Sequence, residues 1–170
     1  MNDEIIVAPA TAPVNSALAL LRVSGAGAVE LIRGIFPRHA KIEHARAVYG
    51  PVMDGERRLD DVVLTAYFAP ASFTGEDTVE LSCHGNPVIM RNIVAALLAR
   101  GARLAGPGEF SRRAFLNGKM DLTEAEAVNT LIHARSDWEI GAALEQMHGG
   151  LRNEIGKLRE RLIILKGDIE

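Results

Sequence analysis

The sequence predicts an α+β domain that passes into the start of an all-α domain, with the seam near residue 120. Three features predict this. The first two-thirds of the chain alternate strand-like runs with helix-spaced runs. After residue 120 no strand signal recurs. Over 151–169 apolar residues recur at 151, 155, 158, 162, 165 and 169, the heptad spacing of a helix packed along another helix, with Ile163 and Ile164 adding to the stripe.

The elements follow in order. Ile5 to Ala8 is a short apolar run, and Ala17 to Val23 reads as a buried strand ending at the Ser24-Gly25 turn. Ala28 to Phe36 places Val29, Ile32 and Phe36 at helical spacing, and Pro37 stops it. A hairpin follows, with a strand near Val48, a turn at Asp54-Gly55 and a return strand from Val62 to Phe68. In Thr78 to Cys83 the residues alternate, so Val79, Leu81 and Cys83 share one face and Glu80 and Ser82 the other. Pro87 suits a first helical turn, and Val88 to Arg100 continues with Ile89, Ile93, Ala96 and Leu97 on one stripe. Arg112 and Arg113 sit on a short helix, which Phe110 and Phe115 are expected to anchor. That makes about five strands and three helices.

Beyond the seam, Thr123-Glu-Ala-Glu126 has the form of a capping box. A helix is expected from Glu124 towards Met147, with Val128, Leu131, Ile132 and Trp138 on its apolar side, and Gly149-Gly150 breaks or kinks it. The chain stops at Glu170 with no helix-ending residue, as expected of a fragment cut inside a helical domain.

Composition excludes several classes. At 170 residues, 48% hydrophobic and 24% charged, the chain is that of a globular protein. It has no run of the roughly 18 apolar residues a membrane span needs. The net charge of -3 speaks against a broad nucleic-acid surface. A single cysteine, Cys83, forms no internal disulfide, in keeping with a cytoplasmic location.

The candidate chemistry is sparse. Gly156-Lys157 imitates the end of a phosphate-binding loop, but Leu158 stands where Ser or Thr is required. Cys83-His84 has no second cysteine or spaced histidine with which to bind zinc, and reads as a buried thiol at a strand end. Glu76, Asp77 and Glu80 gather around Gly75. They form either an acidic loop or a site, and Glu80 favours a site because a mid-strand Glu is disfavoured unless it has a partner. Such a carboxylate accepts from an amidine-like edge, as in an aminopyrimidinone. Arg22 interrupts the apolar run "LALLRVSG" and needs a partner, either a structural carboxylate or a ligand's. Lys119 follows Asn117-Gly118 on a turn and is either merely exposed or part of the same site.

Two long stretches carry a resemblance. "SFTGEDTVELSCHGNP" (72–87) and "PGEFSRRAFLNGKMDLTEAEAV" (107–128) look like signatures of the MnmE (TrmE) family of bacterial tRNA-modification GTPases. "ALLRVSG", "IVAPATAP" and "EQMHGGLRNEI" extend the match over nearly the whole chain. One departure is "APVNSA" (12–17), where many relatives carry "PPGRGG".

The resemblance implies that 1–119 form a folate-binding, dimerising domain similar to the tetrahydrofolate-binding domain of glycine-cleavage T-protein. It implies that 120–170 are the first helices of a central helical domain, truncated before the GTPase domain. Folate contacts carried over residue by residue are Arg22, Glu80 and Lys119, with 5-formyltetrahydrofolate or a related tetrahydrofolate as the cofactor. No catalytic residue or metal ligand is expected within these residues. The full-length parent is expected to use GTP, Mg2+ and K+ and to form a homodimer. With FAD-containing MnmG it would build the 5-carboxymethylaminomethyl or aminomethyl group on the wobble uridine of certain tRNAs, with no membrane involved. Two alternatives stand beside this: a purely structural dimerisation module, and a T-protein-like aminomethyltransferase.

Overall fold

A computed structural model describes residues 4–37 and 39–167. The chain divides into two compact units, Met1–Asn117 and Gly118–Glu170.

The first unit is a six-stranded sheet with helices. Its strands are β1 (Ile6–Pro9), β2 (Ser16–Ser24), β3 (Ala47–Asp54), β4 (Arg57–Tyr67), β5 (Thr78–Gly85) and β6 (Arg103–Leu104), in the order β3-β4-β5-β2-β1-β6. Neighbours are antiparallel except β1 and β6, which run parallel. The expected strands are all present, with β4 beginning five residues before Val62. The two-residue β6 is additional, being too short to show a period.

Alternation decides the layers. Leu21 and Val23 of β2, Val62, Leu64 and Ala66 of β4, and Val79, Leu81 and Cys83 of β5 all point to one face. There they pack with Val29 and Ile32 of α1 (Ala28–Arg33) and with Met90, Ile93 and Leu97 of α2 (Pro87–Leu98). The intervening residues, among them Arg22, Glu80, Ser82 and His84, lie on the opposite and more open face. Helix α2 starts as the sequence predicts, with Pro87 in its first turn and the Asn86 side chain accepting from Val88 N–H at 2.8 Å.

Two glycines hold this arrangement together. Gly25 has φ 141°, and a Cβ there would lie 2.9 Å from the Ile5 backbone, so the turn after β2 tolerates no side chain. A Cβ at Gly85 would overlap the Ser16 carbonyl and hydroxyl, where β5 and β2 approach most closely.

Helix α3 (Glu109–Leu116) forms as expected, but its anchors differ. Ala114 and Arg113 are buried, whereas Phe115 is 42% exposed. An arginine can replace an aromatic anchor here because it brings its own hydrogen-bond partners.

The second unit consists of α4 (Leu122–His133), α5 (Asp137–Met147) and α6 (Gly150–Gly167). The capping box lies two residues earlier than the sequence suggested. Asp121 Oδ1 accepts from Glu124 N–H at 2.8 Å, and Glu124 Oε2 accepts from Asp121 N–H at 2.7 Å. Thr123 lies inside the helix and donates to Asp121 Oδ1. Asp is an equal or better cap than Thr, and Asp121 has the extended backbone a cap requires.

The single helix expected to reach Met147 is two. Ser136 caps α5 by accepting from Glu139 N–H at 3.2 Å, while Glu139 Oε2 accepts from Arg135 N–H at 2.6 Å. This Ser136 cap, with Glu139 reaching back to the residue before it, competes with helix continuation. Met147 does end α5, and Gly149 turns left-handed at φ 76° before α6. Ile132 and Trp138, expected on a covered face, are mostly exposed, as are the heptad residues Ile155, Leu158, Leu162 and Leu165. Heptad spacing specifies a face but not what covers it. Of the same series, Ile169 lies outside the described residues, as does the Leu151 side chain.

Candidate functional site

Cross-strand register brings Arg22 and Glu80 together. They are direct partners between β2 and β5, and Thr65 of β4 lies opposite Glu80 on its other side. Arg22 donates from Nε at 2.9 Å and from Nη2 at 2.7 Å, both to Glu80 Oε1. Among the described residues Glu80 Oε2 takes no hydrogen bond, which leaves it open to an incoming donor. The two side chains are 26% and 21% exposed, within reach of solvent.

Two aromatic rings flank the guanidinium. Its Cζ lies 5.4 Å from the centroid of Phe73 and 5.8 Å from that of Phe110, both within cation–π range. Phe73 comes from the loop after β4 and Phe110 from α3. Sequence reasoning did not assign either ring to the site. The available signal was a large apolar residue in each of two charged stretches.

A polar network fixes the segments that carry these rings. Arg113, 6% exposed at its side chain, donates to Glu76 Oε2 at 3.0 Å, to the Glu4 carbonyl at 2.9 Å and to Glu109 Oε1 at 3.2 Å. Ser24 Oγ donates to Glu76 Oε2 at 3.1 Å and lies 2.7 Å from Thr74 Oγ1. Asn117 Nδ2 donates to the Thr74 carbonyl at 2.8 Å, and Asp77 Oδ1 accepts from Ala69 N–H at 2.9 Å. The three carboxylates therefore divide: Glu76 and Asp77 brace the loop, and Glu80 faces the open side of the sheet. Glu109 also accepts from Arg103 at 2.6 and 2.8 Å and from Gly106 N–H at 2.8 Å. Its pKa is held down at about 2, chiefly by the hydrogen bonds from Arg103.

The other expected residues are placed as follows. Lys119 is exposed on the turn between α3 and α4 and belongs to the second unit. Cys83 is buried, with Sγ 3.6 Å from the Ala19 carbonyl, and burial pushes its thiol up to about 11. His84 is held by Asp60, which accepts from its backbone N–H at 2.8 Å and lies 2.7 Å from Nδ1. Among the described residues no group of three or more His, Cys, Asp or Glu gathers to hold a metal, and no helix is long and apolar enough to cross a membrane. A cavity of ≈ 380 Å³ in the second unit is lined by Asn129, Thr130, His133, Ala134, Arg135 and Glu139. Several of its polar groups bond to one another, as His133 does to the Asn129 carbonyl.

The Arg22–Glu80 site can recognise a ligand: it offers a carboxylate acceptor, a cation and two ring faces.

Comparison with known proteins gives a consistent picture. The family described as GTP-binding protein TrmE N-terminus matches residues 5–119. The tRNA modification GTPase MnmE of Porphyromonas gingivalis is 43% identical over 99% of this chain and 37% of its own length. The proteins of the same description from Christiangramia forsetii and Aquifex aeolicus are 45% and 46% identical, over 99% and 98% of this chain. The chain spans 36–38% of the length of these relatives.

Proposed function

The chain belongs to the TrmE N-terminal family, and from that premise we propose that it is the folate-binding, dimerising part of a tRNA-modification GTPase. The observation that carries the ligand reading is the Arg22–Glu80 pair on the open sheet face, flanked by Phe73 and Phe110.

The residues present fit a tetrahydrofolate. Its pterin ring presents a 2-amino group and a ring N–H, and Glu80 is a reachable acceptor with one oxygen open. Its glutamate tail carries negative charge, and any formyl oxygen partial negative charge, that Arg22 can meet. Lys119 enters this proposal on the family motif alone. When bound, such a folate supplies a one-carbon unit. The chain's own residues bind and orient it: Glu80 takes the amidine-like edge, Arg22 an anionic group, and the rings a flat face. The likeness to the T-protein folate domain, and the division into a folate-binding domain (1–119) and helices of a central domain (120–170), belong to this proposal.

Also proposed is the setting, with GTP hydrolysis and tRNA modification taken from the relatives' description and the rest from the family resemblance. The parent would hydrolyse GTP with Mg2+ and K+, form a homodimer in the cytoplasm and act with MnmG on the wobble uridine of tRNA. The test is calorimetry with 5-formyltetrahydrofolate. Binding that is lost in Glu80→Ala and Arg22→Ala is the expected result, and no heat at millimolar ligand refutes the folate reading. One observation favours a second reading, a structural dimerisation module: Arg22 and Glu80 already pair with each other without a ligand. Retained dimerisation without folate binding is its signature.

A further inference from the structure

We propose that the Arg22 guanidinium occupies the seat of the ligand's flat ring, and that Phe73 and Phe110 are the walls against which that ring stacks once it displaces the arginine. The inference rests on the folate reading above but concerns which groups exchange places.

The argument starts from shape. A guanidinium is planar, with adjacent N–H donors on one edge and a π face above and below. In this structure two of those donors, Nε and Nη2, converge on Glu80 Oε1. Its carbon lies 5.4 and 5.8 Å from the centroids of two phenyl rings. An aminopyrimidinone edge offers the same combination: paired N–H donors for a carboxylate and flat faces for aromatic contact. A carboxylate combined with two rings selects that class of group, and the chain supplies one of its own.

The occupant is held loosely enough to leave. Both partners are about a quarter exposed, so solvent screens their attraction. Arg22 has a long, flexible stem, and once displaced it keeps its charge and can turn to an anionic tail. The two residues then act in sequence. Glu80 changes partner from Arg22 to the ring, and Arg22 changes partner from Glu80 to the tail. If ligand and arginine compete, a ligand without a tail faces a site reduced by the fraction that Arg22 occupies.

Two ligands separate the possibilities by sign. The 170-residue chain is titrated calorimetrically with 5-formyltetrahydrofolate and with tailless 6-methylpterin. Arg22→Met is expected to bind 6-methylpterin about 5–30-fold more tightly than the unaltered chain, because the competitor is gone. Phe73→Leu is expected to weaken both ligands about fivefold or more, through lost stacking. Arg22→Gln, which keeps a flat but neutral donor, is expected to fall between, and it serves if the Met variant does not fold. If the unaltered chain binds 5-formyltetrahydrofolate but neither Arg22 variant gains affinity for 6-methylpterin, the exchange is overturned while the folate reading survives. Failure of the unaltered chain to bind 5-formyltetrahydrofolate removes the folate reading and this inference together.

Discussion

Replacing Arg113 with Met is expected to lower folding stability by about 3 kcal/mol. Arg113 is almost fully buried and gives three charge-assisted hydrogen bonds, to Glu76, to the Glu4 carbonyl and to Glu109. Breaking a buried ion pair on one side costs roughly 3–5 kcal/mol, because the partner is left uncompensated. Two features hold the value near the lower end. Glu109 retains the Arg103 guanidinium at 2.6 Å, and Glu76 is 22% exposed and retains Ser24. Methionine preserves most of the volume, so packing adds little. Urea unfolding followed by circular dichroism measures the change, and adding Glu76→Gln to Arg113→Met should recover part of it. A loss below about 1 kcal/mol would refute the claim that this buried arginine, and not an aromatic anchor, holds α3 to the loop after β4.

Three further outcomes follow from single sites. Glu109 is held at about 2 in the folded chain against 4.5 for the free group, so its contribution to stability is complete above pH 4.5 and is lost as pH falls towards 2. The stability gap between the unaltered chain and Glu109→Gln should therefore shrink from pH 6 to pH 2.5 in urea titrations, and a constant gap contradicts the assignment. Cys83, pushed to about 11 from 9.0 by burial first and the Asp60 charge second, should alkylate with iodoacetamide at pH 8 about a hundredfold more slowly when folded than in urea. Equal rates would place the thiol at the surface. Asp121→Ala should cost about 1 kcal/mol in thermal or urea unfolding and Thr123→Ala less than half of that, whereas the reverse order would restore the cap to Thr123.

Much of the fold was legible because its signals are local. Period-two alternation in Thr78 to Cys83 separated Glu80 from the core residues, and the structure keeps that separation. Pro87 marked the start of α2, and Asp54-Gly55 the hairpin. Where two local signals competed, the reading slipped. Asp121 and Thr123 both begin plausible capping boxes, and Ser136 offered a helix start inside an unbroken apolar stripe. Choosing between such signals takes backbone angles, which composition does not reveal.

By itself the sequence determined the layers, the seam in secondary structure and the family, since each depends on neighbours in the chain or on long matched stretches. It also marked Arg22 and Glu80 as misplaced charges. Only the tertiary structure decided that these two answer each other across 58 residues, that Phe73 and Phe110 flank the guanidinium, and that Arg113 is a buried hub. The physical reason is that a charge in an apolar run announces a need for a partner. Which partner meets that need depends on strand register and loop closure, and these become defined once distant segments have packed.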